Sequence, residues 1–439
     1  MVRLRAVRTF WICVFLLVTL GPVALFTDAD HARFRNVGTE VSVVTGVLTV
    51  SLFLVAFVLP TRMPSILGAF GIERVLRVHR FVAVLAVALL VLHIGFAVIG
   101  DPRHLQIFEL TAQPRPVWAA TASTLAIALL VGAAIRRKDS KPRYEGWRLL
   151  HIAFALTALS FAALHIYWLG SLDTQVGRRF TYTFLAELAL LIAIRRWVWL
   201  PMRSGKRAYL VDEVVPVAGN AIRVRLRAYG HAGLPFQAGQ FAWMKIGTSP
   251  FVFEEHPFTI ASTAERPDVK EFTIKALGDF SELLLGMRPG RRVYLDGPYG
   301  QFTVDGIRST GFVFIAGGVG VTPMLSILHT LADRGDRGSH LLVMAAHTPD
   351  DLIGRSEFDA LRRRLSLRVV EVVAKPSPGW AGEVGRIDAA LLARVLPRRA
   401  RHLDFYLCGP PRMVVTVGQL LRIRGIRARR IQTEQFDVV

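Results

Sequence analysis

The chain has 439 residues, 52% of them hydrophobic and only 20% charged, yet 54 Lys+Arg against 33 Asp+Glu leave a formal net charge of +21. Apolar content this high excludes a disordered chain, and its concentration in long runs over the first 200 residues argues against a wholly soluble one. A basic total fits either a nucleic-acid partner or a membrane protein with Lys and Arg on its cytoplasmic loops, so the distribution of charge must choose.

Six apolar stretches, near 10–26, 41–59, 79–99, 117–135, 150–169 and 180–200, have the length that crosses a hydrocarbon core of about 30 Å as a helix. The first follows Arg3, Arg5 and Arg8 as a cleaved leader would. No small-x-small site follows it and five further spans do, so it is read as retained. Basic residues then alternate between connections. The second connection carries Arg62, Arg74, Arg77 and Arg80, and the fourth Arg136, Arg137, Lys138, Lys141, Arg143 and Arg148. Arg195, Arg196, Arg203, Lys206 and Arg207 follow the last span. The intervening connections carry two each: Arg33 and Arg35, Arg103 and Arg115, Arg178 and Arg179. By the positive-inside rule both termini are cytoplasmic, and the expected location is the plasma (cell inner) membrane, as a multi-pass protein.

Ionisable residues inside spans are rare and usually functional. The third span holds His79 and His93 and the fifth His151 and His165, each pair fourteen residues apart. Fourteen residues is close to four helical turns, so the members of a pair face the same way about 21 Å apart along the axis. The two spans run parallel, which sets His79 level with His151 near the inner face and His93 level with His165 toward the outer face. Two imidazoles at one depth can ligate a haem iron from both sides. The alternative is that each histidine only bonds a neighbouring helix, which leaves the equal spacing without a cause. Arg77, Arg80 and Arg148 flank the inner level, either as partners for haem propionates or as ordinary inside charge.

From Lys206 the pattern changes to short strands at 208–217, 221–229, 240–246, 258–262, 271–276 and 292–295, which predict a small antiparallel barrel. A buried-strand run at 312–316 then enters Gly317-Gly318-Val319-Gly320-Val321-Thr322-Pro323 and a helix at 324–331. Strand, glycine turn and helix offer backbone N–H groups to a pyrophosphate. Further strands at 341–345, 369–374 and 405–407, with helices between, predict a doubly wound sheet whose last strand ends in Cys408-Gly409-Pro410. The other cysteine, Cys13, has quite different surroundings, so no disulfide, zinc or iron–sulfur site is implied.

His256–Ser262, Asp296–Gly300, Gly317–Pro323 and Cys408–Pro410, in this order and spacing, resemble the ferredoxin–NADP reductase superfamily. With the paired histidines ahead of them, the chain resembles the NADPH oxidase / ferric reductase family over about residues 41 to 439. The resemblance implies a multidomain membrane protein: a six-helix transmembrane di-haem bundle (1–205), a FAD-binding antiparallel β-barrel (206–305) and an α/β doubly wound NAD(P)-binding domain (306–439). It implies FAD, two b-type haems and NADPH or NADH as cofactors. His256, Pro257, Phe258 and Thr259 match the segment along the flavin ring and ribityl chain, and Gly278 to Ser281 the segment receiving the FAD pyrophosphate. Gly317, Gly318, Gly320, Thr322 and Pro323 match the dinucleotide loop, while Cys408 and Gly409 match positions beside the nicotinamide. Phe436 resembles the aromatic that covers the flavin. Cys408 also reads simply as a small buried strand-end residue.

The implied activity moves electrons from cytosolic NAD(P)H through FAD and the two haems to an acceptor outside, oxygen (giving superoxide) or a ferric chelate. Animal NADPH oxidases carry a histidine where Ala97 stands here, four residues after His93, and an arginine in an earlier span that 41–59 lacks. His347 stands where a family arginine contacts a 2′-phosphate, with Arg355 as a substitute, so the choice of donor stays open. Partners expected are the lipid bilayer, NAD(P)H and the acceptor, with no obligatory protein partner and no nucleic acid. The arginines at 362–364 and 422–430 rest a nucleic-acid reading on charge alone. A non-catalytic haem-binding sensor or docking subunit is a further alternative, against which the intact glycines and Cys408 speak.

Overall fold

In a hydrocarbon layer a backbone satisfies its polar groups only as a helix or a closed barrel, and the first half of the chain is helical. A computed structural model describes residues 2–27, 36–102, 114–137, 144–169, 176–276 and 279–435. The chain divides into two compact units, Met1–Trp199 and Leu200–Val439.

The first unit contains α1 (Val2–Thr27), α2 (Val37–Val58), a 3-10 turn at Leu59–Thr61, α3 (Pro64–Phe70), α4 (Ile72–Gly100), α5 (Arg115–Arg136), α6 (Tyr144–Trp168) and α7 (Val176–Ile194). Asn36 caps α2, its side-chain oxygen accepting the Gly38 N–H at 2.9 Å. Among the described residues five helices are long and apolar enough to cross a membrane: Arg5–Ala24, Val37–Thr61, Ile72–Gly100, Arg115–Arg136 and Glu145–Trp168. α7 occupies the place read as a sixth span, and a π-helical turn at Arg195–Trp199 ends it. The interior faces hold small and hydroxyl-bearing residues. On α2, Thr45 Oγ1 donates to Val41 O (2.7 Å) and Thr49 Oγ1 to Thr45 O (2.8 Å), so buried hydroxyls cost little. Outer faces are apolar and exposed, as at Phe81, Val84, Val91 and Leu125, which suits contact with lipid tails.

The second unit opens with α8 (Leu200–Gly205) and six strands: β1 (Tyr209–Val217), β2 (Ala221–Ala228), β3 (Phe241–Ile246), β4 (His256–Thr259), β5 (Val269–Lys275) and, after α9 (Asp279–Leu285), β6 (Arg292–Tyr299). They form one antiparallel sheet in the order β4-β3-β6-β1-β2-β5. Just beyond β4 the Ala261 N–H donates to Glu271 O (2.7 Å) on β5, which draws the two outer strands together around Ile222, Leu226, Met244 and Phe272. The fourth strand lies earlier than the 258–262 predicted. Its register on β3 begins at Met244↔His256, and its outer position tolerates the missing N–H of Pro257.

The remainder is β7 (Phe312–Gly317), a 3-10 turn (Gly318–Val321), α10 (Thr322–Asp333), β8 (Ser339–Ala346), α11 (Arg355–Arg362), β9 (Ser366–Val373), β10 (Glu383–Val384), α12 (Ala389–Val395), β11 (Asp404–Gly409), α13 (Pro411–Ile423) and β12 (Ile431–Gln435). The strands pair in parallel in the order β10-β9-β8-β7-β11-β12. Phe314, Met324, Leu328 and Phe358 fill one face, Leu407, Leu392 and Val417 the other. Helices covering both faces make this the doubly wound sheet expected. Strand order reverses between β7 and β11, so the crevice that such sheets use for ligands opens at the carboxyl ends of these two strands.

Candidate functional site

The helical unit brings the four predicted histidines together as two pairs. His79 faces His151 with ring centroids 6.4 Å apart, and His93 faces His165 at 6.5 Å. Behind three of the rings stands a main-chain carbonyl. His79 Nδ1 lies 2.9 Å from Ala56 O, His93 Nδ1 2.7 Å from Ser42 O, and His165 Nδ1 2.8 Å from Pro116 O. A carbonyl oxygen only accepts, so each of these Nδ1 atoms carries the proton and each Nε2 keeps its lone pair. Ser42 and Ala56 are fourteen residues apart on α2, the interval of His79 and His93 on the antiparallel α4, so one helix register serves both. Gly46 makes this packing possible: a Cβ there would lie 2.7 Å from His93 Nδ1.

His151 differs. Among the described residues its buried Nδ1 has no hydrogen-bond partner, and its ring lies 5.2 Å from that of Trp147. The Trp147 indole donates to Ala133 O (3.1 Å) and lies 4.6 Å beneath the Arg137 guanidinium. Two imidazoles on opposite sides of one metal ion, each bound at about 2.0–2.1 Å, have centroids about 6.3 Å apart. Both observed separations are close to that, and His79, His93 and His165 keep an Nε2 lone pair as donor, so these residues fit bis-imidazole ligation of a haem iron at each level. Sequence reasoning missed Ser42, Ala56, Pro116 and Trp147. Only the repeated interval between Ser42 and Ala56 carried a signal.

In the antiparallel sheet, β4 presents His256 and Phe258 toward Phe280 of α9. The His256 ring lies 4.1 Å from Phe280, and Phe258 stacks on Phe280 at 5.8 Å with 25° between planes. Thr259 and Ser281 are buried beside this aromatic surface, and Pro257 lies in the same strand. Phe280 sits within the predicted 278–281 motif without having been singled out. Gly278 lies outside the described residues, as does Phe436.

At the switch point the glycine turn and the end of β11 pack backbone against backbone. A Cβ on Gly320 would stand 2.5 Å from Cys408 O, which only glycine permits. Gly317 ends β7, Gly318 opens the turn, and Thr322 and Pro323 start α10, with Thr322 Oγ1 donating to Val319 O at 2.9 Å. Cys408 is wholly buried among Phe314, Met324 and Tyr406, and Gly409 follows it at the strand end. β12 pairs Gln435 with Gly409, so the residue before Phe436 ends beside the crevice. His347 is exposed beyond β8. Arg355 is held by both carboxylate oxygens of Glu371, at 2.8 and 2.9 Å.

Residues 45–162 match the family described as ferric reductase like transmembrane component, 208–303 an FAD-binding domain, and 314–419 the oxidoreductase NAD-binding domain. The fold and these matches define a flavoprotein oxidoreductase with a transmembrane part. Their order is the domain architecture of the NADPH oxidase / ferric reductase family, and this chain has that architecture. Among known proteins, the propane 2-monooxygenase reductase component of Rhodococcus jostii is 31% identical over 234 residues, 52% of this chain and 62% of that protein. NADH-cytochrome b5 reductase 1 of Pyricularia oryzae is 30% identical over 188 residues, 42% and 61% of the two chains. This chain thus spans about three fifths of the curated relatives it matches. The solved cytochrome P450 reductase of Amycolatopsis is 27% identical, with a TM-score of 0.47, over 52% of this chain and 69% of that one.

Proposed function

We propose that the chain moves electrons across a membrane, from cytosolic NADPH or NADH to an acceptor on the outer side, in the first place molecular oxygen, giving superoxide. In this reading the bundle has six spans with both termini cytoplasmic, and two b-type haems lie between His79 and His151 and between His93 and His165. The domains are 1–205, 206–305 (a closed FAD-binding barrel) and 306–439. The observation that carries it is the double pairing of histidines at 6.4 and 6.5 Å.

FAD supplies the conversion between a two-electron hydride donor and one-electron haem acceptors. The residues of the chain do the rest. The carbonyls of Ala56, Ser42 and Pro116 hold the proton on Nδ1 and keep Nε2 available to a metal. The rings of His256, Phe258 and Phe280 offer an apolar wall to a planar ring system. The Gly320 turn and the start of α10 bring backbone N–H groups to a dinucleotide phosphate, beside Cys408 and Gly409.

A ferric chelate as acceptor is the second reading, favoured by Ala97 and by the lack of an arginine in 41–59. The test uses purified protein in bilayer discs. A haem Soret band is expected, and His93→Leu or His165→Leu abolishes outward reduction while leaving flavin reduction by NAD(P)H intact. Rates with oxygen and a ferric chelate, each with NADH and NADPH, assign acceptor and donor. Protein without any Soret band overturns the proposal.

A further inference from the structure

The second unit has its own excess of arginine, and the parallel sheet sorts it. Because the strands run one way, turns preceding strands lie at one edge and turns following them at the other. The amino edge collects Arg337 after α10, Arg363 after α11, Arg398 and Arg399 after α12, and Arg427 and Arg429 after α13, all exposed. Among the described residues none of these six has an ion-pair partner. The acids of the same edge are engaged elsewhere: Asp333 with Arg364 (2.7 Å), Asp336 with His340 (2.9 Å) and Asp404 with Arg430 (3.0 Å). The dinucleotide crevice lies at the opposite, carboxyl edge, so this charge does not serve the dinucleotide phosphates.

Within the basic edge a cavity of about 470 Å³ opens between the first residues of β8 and β9 and the turn after α12. Arg362 and Arg368 stand on its wall, above Leu365, Leu367 and Pro397. Their guanidinium contacts to main-chain oxygens are long, 3.4 Å to Val369 O and 3.4 Å to Val395 O, and Arg362 Nη1 also pairs with Asp359 at 3.5 Å within its own helix, so each guanidinium keeps further N–H donors for a phosphate. The edge is also tied to the point where the chain enters this unit. In the loop 263–268, Pro267 O accepts from Tyr209 Oη at the start of β1 (3.2 Å), while Glu265 holds Arg334 at the end of α10 (2.6 Å).

We propose that the amino edge of the parallel sheet is a docking surface for the anionic headgroups of a lipid bilayer, with a headgroup phosphate seated at Arg362 and Arg368. The proposal rests on the apolar helices lying in a membrane and not on the electron route. Arginine's planar fork matches phosphate oxygens in pairs. Attraction to an anionic leaflet adds with each basic side chain and fades beyond a Debye length of about 8 Å at physiological salt. The covalent link through Leu200 keeps a lipid surface within reach, which raises its effective concentration over any free partner.

The test is hydrogen exchange on the full chain in discs of phosphatidylcholine alone or with about 30% phosphatidylserine, an anionic lipid of the inner leaflet. The turns at 396–403 and 424–430 are expected to exchange about tenfold slower in the anionic discs, and the difference vanishes near 1 M salt. Arg398→Gln/Arg399→Gln/Arg427→Gln/Arg429→Gln loses the protection while amides of β7 and β11 keep theirs. Should that variant misfold, the salt series on the unaltered chain decides. Equal exchange in the two kinds of disc overturns the proposal. So does protection that appears only on adding duplex DNA to neutral discs, which would assign the surface to nucleic acid.

Discussion

Lys270 offers a quantitative check on the packing of the antiparallel sheet. It lies on β5, wholly buried, with Nζ 2.9 Å from Pro267 O and 4.3 Å from the centre of the Phe236 ring. Burial pushes its pKa down from 10.5 to about 7, against the pull of Asp268. The folded state therefore holds fewer protons than the unfolded chain between pH 7 and 10.5, and stability rises with pH across that window. Over a gap of about 3.5 units the deficit at pH 7 is about 4 kcal/mol. Lys270→Met removes it and gives up a hydrogen bond of about 1 kcal/mol, for a net gain of about 3 kcal/mol at pH 7. In a unit of this size that raises the melting temperature by about 6–12 °C. Melting of the full chain, followed by release of bound-flavin fluorescence at pH 7 and 9, measures it. The advantage should shrink by about 2–3 kcal/mol by pH 9. A variant that melts lower at pH 7, or whose advantage is the same at both pH values, refutes the reasoning.

Gly320→Ala sets a methyl 2.5 Å from Cys408 O, so flavin reduction by NAD(P)H should fall at least about tenfold with FAD content unchanged, in stopped-flow measurements. Glu371→Gln weakens the grip on Arg355; the ratio of kcat/KM for NADPH over NADH should rise by about tenfold, since a freed guanidinium can meet a 2′-phosphate. Gly46→Ala pushes the His93 ring off Ser42 O, and haem content per chain should fall by about half, read from the pyridine haemochrome spectrum.

The histidine pairs were legible because ionisable side chains inside apolar spans are conspicuous and their spacing is a helical multiple. The acceptors behind them were not: a carbonyl belongs to every residue, so nothing in Ala56 or Pro116 announces the role. The glycine turn and the alternation of strands with helices followed from pattern alone, whereas the start of β4 depended on its register against Met244, which no local propensity encodes. Arg355 looked available in the sequence because Glu371 is sixteen residues away and meets it only when β9 lies beside the start of α11. The basic edge was invisible for the same reason. Its arginines are scattered along the chain and gather only because parallel strands send every returning turn to one side.

The shared register of α2 and α4 sets where insertions and deletions can survive. Adding or removing one residue between Ser42 and Ala56, or between His79 and His93, turns the helix beyond it by about 100° and detaches one imidazole from its carbonyl. Length changes outside both intervals leave the two matched rulers intact. Descendants of this chain should therefore drift freely in the lengths of their connections while these two windows keep a fixed count, even where every residue inside them but the histidines is replaced.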